Sequence, residues 1–218
     1  MKIFHLIALL FLVSHLRAQS SYYFSEVLPS AANKVLQVDE KWFGNYTKEG
    51  SSYSYEVSAE GITVISVQIS SVSKEFIRES STYDVRNNHI FGVVANDSLP
   101  CILEKGRYYF GLRNREVVIG PTSQHVLTKI DNTHYMINYS ENGNYLPTML
   151  EFSAGGLTIR EFEYDPVSST FPFISEQSKL KIANQQLTIL SPTFQEFQEL
   201  NTPVHFKNHD SFVKHQLE

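Results

Sequence analysis

The sequence predicts an all-β fold, an antiparallel barrel or sandwich of about eight to ten strands. Two related hairpin-rich halves build it, and a short C-terminal helix follows. Three observations point this way. Glu56-Val57-Ser58-Ala59-Glu60-Gly61-Ile62-Thr63-Val64 returns as Glu151-Phe152-Ser153-Ala154-Gly155-Gly156-Leu157-Thr158-Ile159 at an offset of 95 residues. Turn pairs punctuate the chain at close intervals: Glu60-Gly61, Asn87-Asn88, Lys105-Gly106, Arg113-Asn114, Asp131-Asn132, Asn142-Gly143, Gly155-Gly156 and Asn184-Gln185. Asn and Gly tolerate positive φ, so such pairs between apolar runs favour tight hairpins. Fifteen Phe and twelve Tyr against one Trp suit pleated, half-buried strands.

The chain opens with a secretory signal pattern. Lys2 is followed by the apolar run Ile3 to Val13, and cleavage is expected near Ala18. That run is shorter than the ~20 residues a spanning helix needs. A secreted or periplasmic protein with no transmembrane segment after signal removal is therefore expected. The predicted organisation is a signal at 1–18, an N-terminal arm at 19–40, one β domain at 41–190, and a C-terminal helix and polar tail at 191–218.

In the arm, Tyr22-Tyr23-Phe24 and Val27-Leu28 read as a short strand stopped by Pro29, and 30–38 as one or two helical turns. Tyr53, Tyr55 and Val57 then alternate with Ser54, Glu56 and Ser58, as in a strand with one wet face. The halves span about 41–124 and 133–195. In the first, apolar parity switches from Ile62 and Val64 to Val67 and Ile69; in the second, from Leu157 and Ile159 to Phe162 and Tyr164. Such a switch calls for a bulge or a change of face. A second echo pairs 116–124 with 187–195, each a strand ending in Pro-Thr-x-Gln. The C-terminal helix has two candidate starts: Ser191 as N-cap with Pro192 behind it, or a Thr193–Glu196 capping box. Phe194, Phe197 and Leu200 share one helical face, and beyond Pro203 the tail is polar with Phe206 and Phe212 as anchors.

No residue set reads as catalytic, cofactor-binding or metal-ligating. A net charge of −5 argues against a general nucleic-acid role. Cys101, the only cysteine, sits in an apolar setting and cannot form an internal disulfide. His205 and His209 would share a helix face with Asp210 and His215 nearby, but in a frayed polar tail. Glu56 and Glu151 occupy equivalent places and could pair as acid and base, yet each lies on the polar parity of its strand. Gly44 and Gly111 interrupt aromatic strands, as at a bulge or where another backbone or a ligand approaches. Asn45, Asn96 and Asn138 begin Asn-x-Ser/Thr sequons.

Trp42-Phe43-Gly44-Asn45-Tyr46 resembles the opening strand of lipocalin-like (calycin) barrels, where an early Trp leads into the first strand and closes one end. Glu40 stands where that family has Gly. The resemblance implies a carrier of a small apolar molecule, with Trp42 structural at the closed end. The functional expectation is thus a non-enzymatic binding protein for a small apolar ligand. Its alternative is an extracellular structural or protein-interaction module, and a motif-less hydrolase comes third.

Overall fold

The structure is a computed structural model and describes residues 22–95, 97–163, 174, 177–182, 185–201 and 205–215. The signal pattern at 1–18, Asn96, Tyr164 and the Asn184-Gln185 turn fall, wholly or in part, outside these residues. The all-β class holds, with sixteen strands among the described residues. In chain order they are β1 (Tyr22–Phe24), β2 (Lys34–Val35), β3 (Gly44–Thr47), β4 (Tyr53–Ser58), β5 (Gly61–Ser73), β6 (Asp84–Arg86), β7 (His89–Phe91) and β8 (Ser98–Glu104). They continue with β9 (Arg107–Ile119), β10 (Val126–Lys129), β11 (His134–Glu141), β12 (Asn144–Ser153), β13 (Gly156–Phe162), β14 (Gln177–Ile182), β15 (Gln185–Leu190) and β16 (Phe206–His215). The count exceeds the expected eight to ten in part because β2, β6 and β7 have only two or three residues, too few to show a period.

The main ladder runs β14-β15-β1-β12-β13-β16-β3-β4-β5-β9-β8-β7-β6, and β11, β10 and β2 branch from the other edge of β12. Pairing is antiparallel except between β1 and β15, which run parallel. The hairpin turns follow their sequence signals. Asn87-Asn88, Lys105-Gly106 and Asn142-Gly143 all carry positive φ at both residues, as two-residue hairpins require. Arg113-Asn114 is the exception: both residues lie inside β9. Neither takes positive φ, and both pair in regular register with Val67 and Ser66 of β5.

The wall curls around one interior. Trp42, Tyr46, Val57, Ile62, Val118, Leu127, Tyr135, Phe152, Leu157 and Phe212 form a single buried cluster. This joins β3 to β5 and β9 with β10 to β13 and β16 in an open barrel. Its seam lies between the consecutive strands β9 and β10, which are not hydrogen-bonded to each other. A second core lies outside the wall: Met136 and Met149 are opposite each other and point away from Tyr135 and Leu150. There they meet Phe24, Leu28, Leu190, Phe206 and the helix residues Phe197 and Leu200. Strands β11 and β12 are therefore buried on both faces.

The two repeated stretches fold alike. Ser58 pairs with Gly61 and Val57 with Ile62; Ser153 pairs with Gly156 and Phe152 with Leu157. The parity switches have a different origin from a bulge within β5 or β13. The extra residue sits in the facing strand: Val118 in β9, skipped between Ile62 and Thr63, and His209 in β16, skipped between Ile159 and Arg160. Leu157 and Ile159 face the interior, whereas Phe162 faces the outer core. Beyond the hairpins the strands diverge. β9, which leads to Pro121, flanks β5, whereas β15, which leads to Pro192, lies between β14 and β1, and β16 flanks β13.

The C-terminal region differs most from expectation. The helix Phe194–Leu200 forms with the Thr193–Glu196 capping box and not the Ser191 start. The polar tail is strand β16, held between β13 and β3 with Phe206 and Phe212 buried. The bulge at His209 conceals it in sequence: it turns Phe206 to the outer core and Phe212 to the inner one, so no period of two survives.

Candidate interaction surface

Among the described residues, the barrel interior around Trp42 is packed with aromatic rings. Trp42 stacks on Phe152 with centroids 5.5 Å apart, and Tyr46 and Tyr135 meet the same ring edge-on at 5.7 and 5.8 Å. The Trp42 Nε1–H donates to the Asn132 carbonyl at 3.1 Å, and the Tyr46 hydroxyl donates to the Trp42 carbonyl at 2.6 Å. Burial pushes the Tyr46 phenol up to about 12. A shallow cleft of about 380 Å³, open to solvent, lies elsewhere beside Phe91, Val94 and Ser98.

The polar groups singled out in the sequence are engaged separately. Glu56 is held by the Arg115 guanidinium at 3.0 and 3.1 Å, and Glu151 by Arg160 at 2.6 Å. Their cross-strand neighbours differ, Asn45 and Thr63 for Glu56 but His134 and Thr158 for Glu151, so they form no acid–base pair. His205 and His209 do not share a helix face. His209 lies 3.7 Å from Glu161, His215 Nε2 lies 2.9 Å from Thr47 Oγ1, and Asp210 binds Lys48 and Tyr53. Among the described residues no three His, Cys, Asp or Glu side chains come together as a metal site. Cys101 is buried against Ile90 and Phe110, which pushes its thiol pKa up.

Asn138, a sequon residue, is fully buried and serves the fold. Its Oδ1 accepts from the Leu28 N–H at 2.8 Å and its Nδ2 donates to the Leu28 carbonyl at 3.0 Å. Gly44 sits where a Cβ would come within 2.9 Å of the His215 carbonyl, a close strand approach rather than a bulge.

A surface the sequence did not disclose is the arm formed by the distal half of β5, the first half of β9, β8, β7 and β6. Strands β5 and β9 each run thirteen residues. Their barrel ends bury Ile62 and Ile119; their distal ends carry a small core of their own. There Ile90, Cys101 and Phe110 pack with Val72, Leu99 and Ile77, the last from the helix Lys74–Glu79. That core takes one face only. The opposite face aligns Ser71, Tyr109 and Ile102 across three strands, beside Ile69 with Gly111 and Val67 with Arg113. Ile69 is 69% exposed, Ile102 73% and Val67 42%; further along β9, Val117 is 55% exposed. Gly111 leaves room for Val67, whose Cγ1 would lie 2.9 Å from a Cβ there. Arg107 bonds to Ser71 through Nε at 3.1 Å and Nη2 at 3.2 Å. Arg113 is exposed and has no ion pair among the described residues.

Alternation in the sequence does mark Val67 and Ile69 as apolar. Nothing local distinguishes a strand inside a barrel wall from one leaving it. No protein family, curated protein or solved structure matches this chain.

Proposed function

We propose that this protein is a protein-interaction module acting through the outward face of its arm. One observation carries the reading: Val67, Ile69 and Ile102 are exposed on one face of a sheet whose other face holds a packed core. Contiguous apolar surface on a soluble domain marks a binding site more often than chance exposure does. The flanking residues suit that role, since Tyr109, Arg107 and Arg113 are types enriched at protein interfaces. The N-terminal signal pattern at 1–18 supports an extracytoplasmic setting for this activity. The aromatic packing of Trp42, Tyr46 and Tyr135 around Phe152 favours this reading over that of a carrier.

Site-specific photo-crosslinking in the native host tests the proposal, with the reactive group at position 69, at 102 or at the Glu60 turn. Adducts of one common mass from 69 and 102, with none from 60, are expected. No adduct, or equal labelling from all three, would overturn the reading. Native mass spectrometry showing one small molecule per chain would return the assignment to a carrier.

A further inference from the structure

The arm carries a sheet edge that no described strand covers, beside its apolar face. Strand β4 ends opposite Ser66, and the last bond on that side runs from the Val67 N–H to the Ser52 carbonyl at 2.6 Å. On the opposite edge, the Lys74 N–H donates to the Gly106 carbonyl at 2.9 Å. Since backbone groups alternate sides along an antiparallel strand, residues 67, 69, 71 and 73 address the vacated edge, and 68, 70 and 72 bond to β9. The Ile69 N–H and C=O and the Ser71 N–H therefore face outward, with no partner among the described residues. The Ser71 carbonyl is capped by Arg107 and keeps a second lone pair. Natural sheets usually protect such edges with a charge, a proline or a bulge on the strand itself. Val67 to Ser73 contains no charged residue, no proline and no bulge.

We propose that an extended, acidic and apolar segment of another protein adds to the arm as a strand along Val67–Ser73 of β5. This rests on the interaction-module reading and names its partner. The choice of partner follows from charge. Arg107 reaches over Ser71 onto the edge, and Arg113 stands beside Val67 with no carboxylate paired to it. A second copy added antiparallel would bring two Arg107 guanidinium groups to one short ladder, and β4 of each copy would block the register beyond Val67. A partner carboxylate would instead meet Arg107 or Arg113, while an apolar side chain beside Ile69 would extend the face formed with Tyr109 and Ile102. Strand addition draws affinity from backbone bonds and specificity from alternate side chains.

The experiment titrates the full mature chain with a fluorescein-labelled decapeptide of alternating valine and glutamate. A valine–lysine peptide and a version N-methylated at alternate residues serve as controls. Binding of the acidic peptide alone, weakened by added salt, is expected. Ile69→Pro removes one outward N–H and leaves the β5–β9 ladder intact, because that N–H does not join it. It should weaken binding roughly tenfold or more, as expected for one or two net hydrogen bonds, with an unchanged circular dichroism spectrum and melting temperature. Arg113→Glu should weaken it comparably. Binding that survives Ile69→Pro but is lost in Ile102→Glu would overturn strand addition and keep the face as the binding surface. Equal binding of the lysine peptide, or no binding, would overturn the proposed partner. Sedimentation showing a dimer that Ile69→Pro dissolves would assign the edge to a second copy instead.

Discussion

Asn138 shows how a single side chain can stand in for a strand. Its amide pairs with both the N–H and the C=O of Leu28, and Thr128 Oγ1 donates to the same carbonyl. The chain leaving β1 is thereby fixed over β10 and β11, where a backbone ladder does not reach. Asn138→Ala strands the buried Leu28 N–H and leaves its carbonyl to Thr128, and should cost about 1–3 kcal/mol, read as a lower urea midpoint. Because the residue is fully buried, Asn138 should carry no glycan in the folded protein, which peptide mapping after glycosidase treatment would check. Asp131 fixes the turn beneath Trp42. Partial burial opposes its ionisation, but hydrogen bonds from the Thr133 and His134 backbones and side chains outweigh this and hold the carboxyl at about 2. Its folded pKa is thus below its unfolded value. The stabilisation is present above the unfolded pKa of about 3.9 and is lost as pH falls through about 2. Since half of the side chain meets water, the contribution is about 1 kcal/mol after screening. The stability gap between the wild type and Asp131→Asn should therefore close progressively below pH ~4 in denaturant titrations.

At the scale of elements, the two repeated hairpins depend on glycines wedged against a third strand. A Cβ on Gly61 would lie 1.8 Å from the Ile119 carbonyl, and one on Gly156 would lie 2.0 Å from the Phe212 carbonyl. No rotamer can relieve either clash, because the obstacle is backbone. Gly61→Ala and Gly156→Ala should each cost roughly 3 kcal/mol or more, while Gly155→Ala, with open space around it, should be near neutral. Comparing the three melting temperatures checks this. The identity of glycine in both repeats thus has a steric cause in the facing strand, independent of how the two hairpins arose.

For the whole molecule, the arm and the barrel share β5 and β9 but not a core. The cluster of Ile90, Cys101 and Phe110 is separate from the one around Trp42 and Phe152. Local opening of the arm should therefore cost less than global unfolding. Phe110→Ala removes a central ring of the arm and should cost about 3–5 kcal/mol there. Native-state hydrogen exchange should show faster exchange in β6, β7, β8 and the distal parts of β5 and β9, with β11 and β12 unchanged. Uniform acceleration throughout the chain would mean that the arm and barrel unfold as one unit. This division places the exposed apolar face on the less stable part, where a partner strand could also stabilise it.

The sequence alone determined what depends on neighbours along the chain. Period-two alternation, paired positive-φ turns and the Thr193–Glu196 box are local chemistry, and they gave the all-β class, the hairpins and the C-terminal helix. The tertiary structure decided which strands meet across long separations. It placed β16 in mid-sheet, ran β1 parallel to β15, gathered Trp42 and its aromatic neighbours in the barrel core, and left one edge of β5 without a described partner beyond Ser66. The physical reason is that backbone pairing is nearly sequence-blind. A polar strand such as β16, interrupted at His209, becomes central only through the edges that β13 and β3 offer it. In the same way, the outward backbone edge at Ile69 lacks a described partner because β4 ends before reaching it.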